Sequence, residues 1–222
     1  VIVSVEGMSC CVGNFDDCEY PNCNEGTVIV KERPILFNAE MVNAVRAGRK
    51  TQTRRIVKSC PHPNTERVQN FYGETWDWLR YDGLRLGSFT CPYGKIGDQI
   101  WVRETFSETD YRTAYRADVN DGIHCIVEKW TPSIHMPRSA SRIQLEITRV
   151  RVERLNDISE EDAAAEGCDK SKSVAARTIG WCETPLRAFN RLWKQIYGAD
   201  SWNANPWVWV VEFKKIENST SQ

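Results

Sequence analysis

The chain has 222 residues, 41% hydrophobic and 27% charged, with a formal net charge of −1, the figures of an ordinary globular domain able to bury one substantial core. Near-neutrality excludes binding to nucleic acid by bulk charge, and no apolar run is long enough to cross a bilayer as a helix. Nine cysteines form an odd set in a chain of this size whose first residues show no basic segment followed by an apolar one, so reduced thiols or a metal in a cytoplasmic protein are expected rather than a disulfide framework.

Residues 1–27 read as a cysteine-rich extension without apolar periodicity, in which Cys10, Cys11, Cys18 and Cys23 could supply thiolates to a structural zinc. One domain is expected over residues 28–216, followed by a short tail at 217–222. Regular structure should begin at Thr27 to Val30, and Pro34-Ile35-Leu36-Phe37 reads as a buried strand. Asn38 offers a helix cap, Met41, Val42 and Val45 recur at helical spacing, and Gly48 supplies the stop.

After that stop, Thr51, Thr53 and Arg55 share one face of a strand by two-residue alternation. Lys50 then sits in the turn, and it can meet Thr53 only if the backbone re-aims one of them. Residues 58–94 are expected to form an irregular insertion holding Trp76, Trp78, Cys60, His62 and Cys91, of which the last three could form or complete a zinc site.

Strands are predicted for Gln99 to Glu104 and Thr113 to Ala117. Arg142 to Arg154 alternates with a phase slip near Arg149 that predicts a bulge. A helix capped by Asp157 or Ser159 should end at Gly167, and another carrying Phe189, Leu192, Trp193 and Ile196 should stop at Gly198. The terminal run Trp207 to Phe213 is apolar on both faces, so it belongs at the centre of a sheet. Many strands with few short helices indicate an α+β fold on a small curled sheet or barrel, not a doubly wound one.

The chemistry concentrates in Gly48 to Arg55. No acidic residue falls between Arg46 and Lys58, and Lys50 lies among Arg49, Arg54 and Arg55. Like charges and burial disfavour an ammonium, so Lys50 could serve as a neutral base beside a threonine hydroxyl, or the cluster could bind phosphates. Glu166, in the last turn of its helix and four residues from Asp162, opposes the helix dipole. A glutamate touching Lys50 would favour the ammonium form, so Glu166 is expected to orient the substrate amine or shuttle its proton. Among the tryptophans, Trp101, Trp193, Trp207 and Trp209 read as core, while Trp76, Trp78 and Trp130 are the candidates for stacking on a base. His124 and His135 suggest no triad.

A helix ending in Ala-Gly-Arg-Lys-Thr-x-Thr-x-Arg (Ala47 to Arg55), a Gly-Asp turn into a strand (Gly97 to Val102), a Ser-Glu-Glu-Asp helix ending in Glu-Gly (Ser159 to Gly167) and a terminal aromatic strand together resemble the ASCH superfamily. Within it the chain is most similar to proteins of tailed phages and prophages, over about Lys31 to Lys214. The resemblance implies a PUA-like small mixed β-barrel flanked by short helices, with 58–94 inserted. It also implies a function, that of the family's bacterial N4-acetylcytidine amidohydrolases, which use a lysine, a threonine and a glutamate. Their counterparts here are Lys50, Thr53 and Glu166, with Lys50 deprotonating Thr53 and backbone donors of the Gly48 turn holding the oxyanion.

By the same resemblance Arg55 closes the family signature, and Arg138, Ser139 and Arg142 stand where ligand-facing loop residues occur. Arg49 and Arg54 complete the expected substrate-binding set, although Arg54 stands where the compact enzymes have an apolar residue. No cofactor is required. The expected partner is a modified pyrimidine nucleoside or a short single-stranded nucleic acid in a bacterial cytoplasm, with no membrane. The competing reading is a non-catalytic PUA-like module that binds modified or single-stranded nucleic acid, and the third is a ribonuclease.

Overall fold

Five extended segments build the sheet on which everything else is hung. A computed structural model describes residues 30–58, 65–70, 74–118, 127–169, 178–180 and 183–216. The N-terminal cysteines Cys10, Cys11, Cys18 and Cys23, together with Cys60, His62 and the tail, lie outside the described residues, as does most of the strand start expected at Thr27 to Val30. Strands β1 (Glu32–Leu36), β2 (Gln52–Ile56), β6 (Gln99–Arg103), β9 (Gln144–Arg154) and β10 (Trp207–Lys215) form one sheet in the order β1-β6-β9-β10-β2. Only β1 and β6 run parallel; the other pairs are antiparallel. The architecture is the expected α+β one, a small mixed sheet with short helices. It curls so that its two edges approach each other, and the guanidinium of Arg55 on β2 donates to the carbonyl of Leu36 on β1 at 3.0 Å.

β10 lies between β9 and β2, which explains its apolar character on both faces. Trp209, Val211 and Phe213 enter the main core with Ile35, Phe37, Ile100 and Leu145. Val208 and Val210 enter a second core beneath helices α2 (Glu160–Ala165) and α3 (Pro185–Tyr197), where Phe189 and Trp193 pack. The slip foreseen near Arg149 is present: Glu212 pairs with Arg149 and Phe213 with Ile147, so Thr148 is the extra residue of a bulge. Helix caps also fall where the residue types demand them. Asn38 accepts from the Met41 N–H at 2.8 Å to start α1 (Ala39–Arg46), and Ser159 accepts from Asp162 at 3.1 Å to start α2. Ile196 is exposed, unlike its expected partners on α3.

The insertion differs from the irregular segment expected. Among its described residues it folds as an antiparallel three-stranded sheet, β3 (Arg67–Asn70), β4 (Thr75–Leu79) and β5 (Arg85–Thr90). The signal was Thr75-Trp76-Asp77-Trp78, a short alternation obscured by its surroundings. Trp78 is 1% exposed and stacks on Phe89 at 4.0 Å, while Trp76 meets Trp209 edge-on at 5.7 Å. These two indoles therefore extend the main core and are closed to a nucleobase. Trp101 goes the other way: it is only half-buried on the outer face of β6, with the guanidinia of Arg103 and Arg138 at 5.3 and 5.9 Å from its ring. A hairpin of β7 (Phe106–Glu108) and β8 (Thr113–Tyr115) completes the strands, β8 ending two residues earlier than expected. No helix among the described residues is long and apolar enough to cross a membrane.

Candidate active site

The turn after α1 brings the basic segment against the end of α2. Gly48 adopts φ +69°, a left-handed conformation that suits glycine, and it closes the helix. The N–H of Gly48 then donates to Val45, those of Arg49 and Lys50 to Ala44, and that of Thr51 to Ala165. These four donors are thus spent within the fold, so the oxyanion role expected of the Gly48 turn has no free N–H there. Lys50 also forms an antiparallel bridge with Glu166. The close approach depends on Gly167, at φ +89°: a Cβ there would lie 2.9 Å from that of Ala44 and 3.2 Å from that of Lys50.

Lys50 and Glu166 meet in the interior, 116 positions apart in sequence. The Lys50 amine donates to the Glu166 carboxylate (Oε2, 2.8 Å) and carbonyl (3.0 Å), with side-chain exposures of 1% and 4%. This removes the difficulty of a carboxylate at a helix C-terminus, because the ammonium answers both the carboxylate and the last-turn carbonyl. Burial of the amine lowers the Lys50 pKa below its ordinary value; attraction to Glu166 raises it, and the charge of Arg55 lowers it further. Desolvation therefore outweighs the attraction of the glutamate in setting the direction of the shift.

Arg54 faces the same carboxylate from β2. Its Nη1 lies 3.4 Å from Glu166 Oε1, and its Nη2 bonds Glu153 and Asp162, the latter at 2.7 Å. Arg151 braces those two outer acids, donating to Glu153 Oε2 at 3.2 Å and to Asp162 Oδ2 at 2.8 Å. Partial burial works against ionisation of Asp162, but its bonds to Arg54 and the charges of both arginines prevail and hold its carboxyl below the usual range.

Thr53 is fully buried and its hydroxyl has no hydrogen-bond partner among the described residues. No Lys50–Thr53 hydrogen bond is therefore formed. Alternation along β2 places Thr53 with Arg55 on the face that Phe37 covers. The Arg55 guanidinium lies 5.9 Å from the Phe37 ring centre, and the Lys50 amine lies 5.4 Å from it. Phe37 is thus the wall shared by the lysine and by the strand face that carries the threonine. A buried hydroxyl with no partner among the described residues is costly to stability, and costs of that kind gather at functional sites.

The remaining expected residues are dispersed. Arg49 is exposed and its Nη1 lies 3.4 Å from the carbonyls of Gly167 and Asp169, at the rim of the lysine site. Arg54 is fully buried, so it faces neighbouring acids rather than an open cleft. Arg138 bonds Glu32 at 2.8 Å, and Ser139 is exposed on the adjoining turn. Arg142 forms a two-pronged bond to buried Glu104 (2.9 and 3.0 Å), reaches Asp118, and stacks on Tyr115 at 3.9 Å. None of these three bonds a residue of the lysine site.

A cleft of about 190 Å³ opens beside Glu166, lined also by Gly167, Cys168, Met41, Ala44 and Leu192. Sequence reasoning passed over Phe37 and Gly167. Phe37 looked like an ordinary strand end, and Gly167 like an ordinary helix stop. Cys91 is described, and burial pushes its thiol up to about 11, which suits a quiet core cysteine better than a thiolate. No group of three or more metal-ligating side chains occurs among the described residues.

No protein-family model matches the chain, and no curated protein matches it. Among solved structures it is similar to a DUF984-family protein of Enterococcus faecalis V583, with 13% identity, 87% of this chain and 85% of that chain covered, and a TM-score of 0.36. It is also similar to an ASCH domain of Lactobacillus crispatus JV V101, with 15% identity, coverages of 83% and 79%, and a TM-score of 0.34.

Proposed function

We propose that the protein is an amidohydrolase acting on N4-acetylcytidine or a related acylated pyrimidine nucleoside, with Thr53 as nucleophile and Lys50 as its base. The observation that carries this reading is a fully buried lysine, its pKa lowered by desolvation, that shares the Phe37 wall with the face of β2 carrying Thr53, whose buried hydroxyl has no partner among the described residues. A neutral Lys50 takes the Thr53 proton as Oγ1 bonds to the acyl carbon. The positive charge available to the resulting oxyanion is the ammonium Lys50 acquires in that step. Collapse breaks the carbon–nitrogen bond, and the departing exocyclic nitrogen recovers a proton from Lys50. Water, deprotonated by Lys50, then attacks the threonine ester, the bond from the acyl carbon to Oγ1 breaks, Lys50 returns its proton to Oγ1, and acetate leaves.

Glu166 borders the adjacent cleft, which supports a role for its carboxylate in accepting a hydrogen bond from the exocyclic N–H. Arg49 stands at the rim and Arg55 on the Thr53 face. Acetate release from N4-acetylcytidine should be lost in Lys50→Ala and in Thr53→Ala, while ligand binding survives the threonine change. A panel of acylated nucleosides hydrolysed no faster by the native protein than by these variants would remove the hydrolase reading.

A further inference from the structure

Arg54, from the same basic segment as Lys50, is a fully buried guanidinium that faces neighbouring acids rather than the cleft beside Glu166. The two oxygens of Glu166 are divided between two cations, Oε2 to Lys50 at 2.8 Å and Oε1 to Arg54 at 3.4 Å. Glu153 and Asp162, the other acids on Arg54, both retain Arg151 as a second cation. Glu166 has no such reserve among the described residues: apart from Lys50, its ion pair is with Arg54.

We infer that Arg54 is a positioning residue, which holds the Glu166 carboxylate in place and electrically compensated while Lys50 gives up and regains its proton. The inference rests on the reading of Lys50 as the base. Its physical ground is charge accounting in a desolvated site. Were Lys50 the sole partner, losing its proton would leave a bare carboxylate in the interior, an outcome resisted far more strongly than the loss of an exposed charge. With Arg54 in place the carboxylate keeps a cation in both protonation states of the lysine. Arg54 also stands on the far side of Glu166 as a like charge to the ammonium. Both effects ease the departure of the proton from Lys50.

The other charges around the pair do not supply this function. Arg55 of β2 and Cys168 beyond α2 act on Lys50 itself. Glu40 of α1 and Arg191 of α3 line the open cleft, where water screens them. Arg151, Glu153 and Glu212 form an outer layer around Arg54 and Asp162.

The test follows the Lys50 proton by NMR of protein carrying ¹³C-labelled lysine, the Lys50 signal being assigned by its loss in Lys50→Met. Arg54→Met and Arg54→Gln remove the charge, the second keeping donors for Glu153 and Asp162 should the first fail to fold. Arg54→Lys retains the charge. In either uncharged variant the proton affinity of Lys50 should rise about tenfold or more, one unit of pKa, and Arg54→Lys should restore most of the native titration. If the hydrolase reading also holds, the alkaline-rising limb of kcat should move with it and KM should change little. An unchanged Lys50 titration in a folded, uncharged variant would overturn the inference whether or not the protein hydrolyses anything. A shifted titration in a protein that hydrolyses no acylated nucleoside would uphold it and sink the catalytic reading alone.

Discussion

Thr53 and Lys50 should each reveal a conflict between stability and function. The buried hydroxyl of Thr53 has no hydrogen-bond partner among the described residues, so replacing it by a methyl group of similar shape removes a desolvation cost of about 1 kcal/mol or more. Thr53→Val is therefore expected to raise the urea midpoint at unchanged m-value while abolishing acetate release. A fall in the midpoint would mean that the hydroxyl is satisfied in the folded protein. For Lys50 the sign of the pH dependence follows from burial, which lowers the folded pKa below the ordinary lysine value of 10.5. Between the folded value and 10.5 the unfolded chain binds more protons than the folded one, so stability rises with pH across that window and is flat and lowest beneath it. Lys50→Met should lose this rise, which urea titrations at stepped alkaline pH would show; identical slopes in the two proteins would contradict it. These residue types and their neighbourhood were legible in the sequence. The missing Lys50–Thr53 bond was not, because strand alternation states which face a side chain takes but not how far a lysine stem reaches.

Gly167 is where two elements meet most closely. Its positive φ makes a side chain costly by about 1–3 kcal/mol, and a Cβ would also press on Ala44 and Lys50. Gly167→Ala should therefore destabilise the protein by at least that amount and push the end of α2 from the Gly48 turn, carrying Glu166 away from Lys50. Thermal unfolding and the Lys50 titration would both register the change, and a native-like melting temperature would show that the contact is looser than described. Caps, stops and the β9 bulge were readable because each is written in a few adjacent residues: Asn38, Ser159, Gly198 and the slip beside Arg149. The role of Gly167 was not readable, since a helix-stop glycine looks the same whether it faces solvent or a lysine from another element. The same reasoning applies to Arg54, whose three acids come from β9 and α2, about a hundred positions away.

At the scale of the molecule, the curled sheet brings β2 and the end of α2 together, and the insertion thickens the core through Trp76, Trp78 and Phe89. The central position of β10 could be inferred from its apolar character on both faces. The inserted sheet could not, because its strands are short and their burial depends on indoles of β10. The exposure of Trp101 reversed for a related reason: α2 and α3 cover Val208 and Val210, whereas β6 keeps its outer face partly open. What this scaffold is claimed to do is carry an acyl group on Thr53, and that intermediate is open to direct observation. Intact-protein and peptide mass spectrometry after rapid quenching of the native protein with N4-acetylcytidine should find one acetyl group, located on Thr53 and absent from Lys50→Ala. Hydrolysis with Thr53 never modified, or an acetyl group borne by Lys50 in its place, would contradict the account.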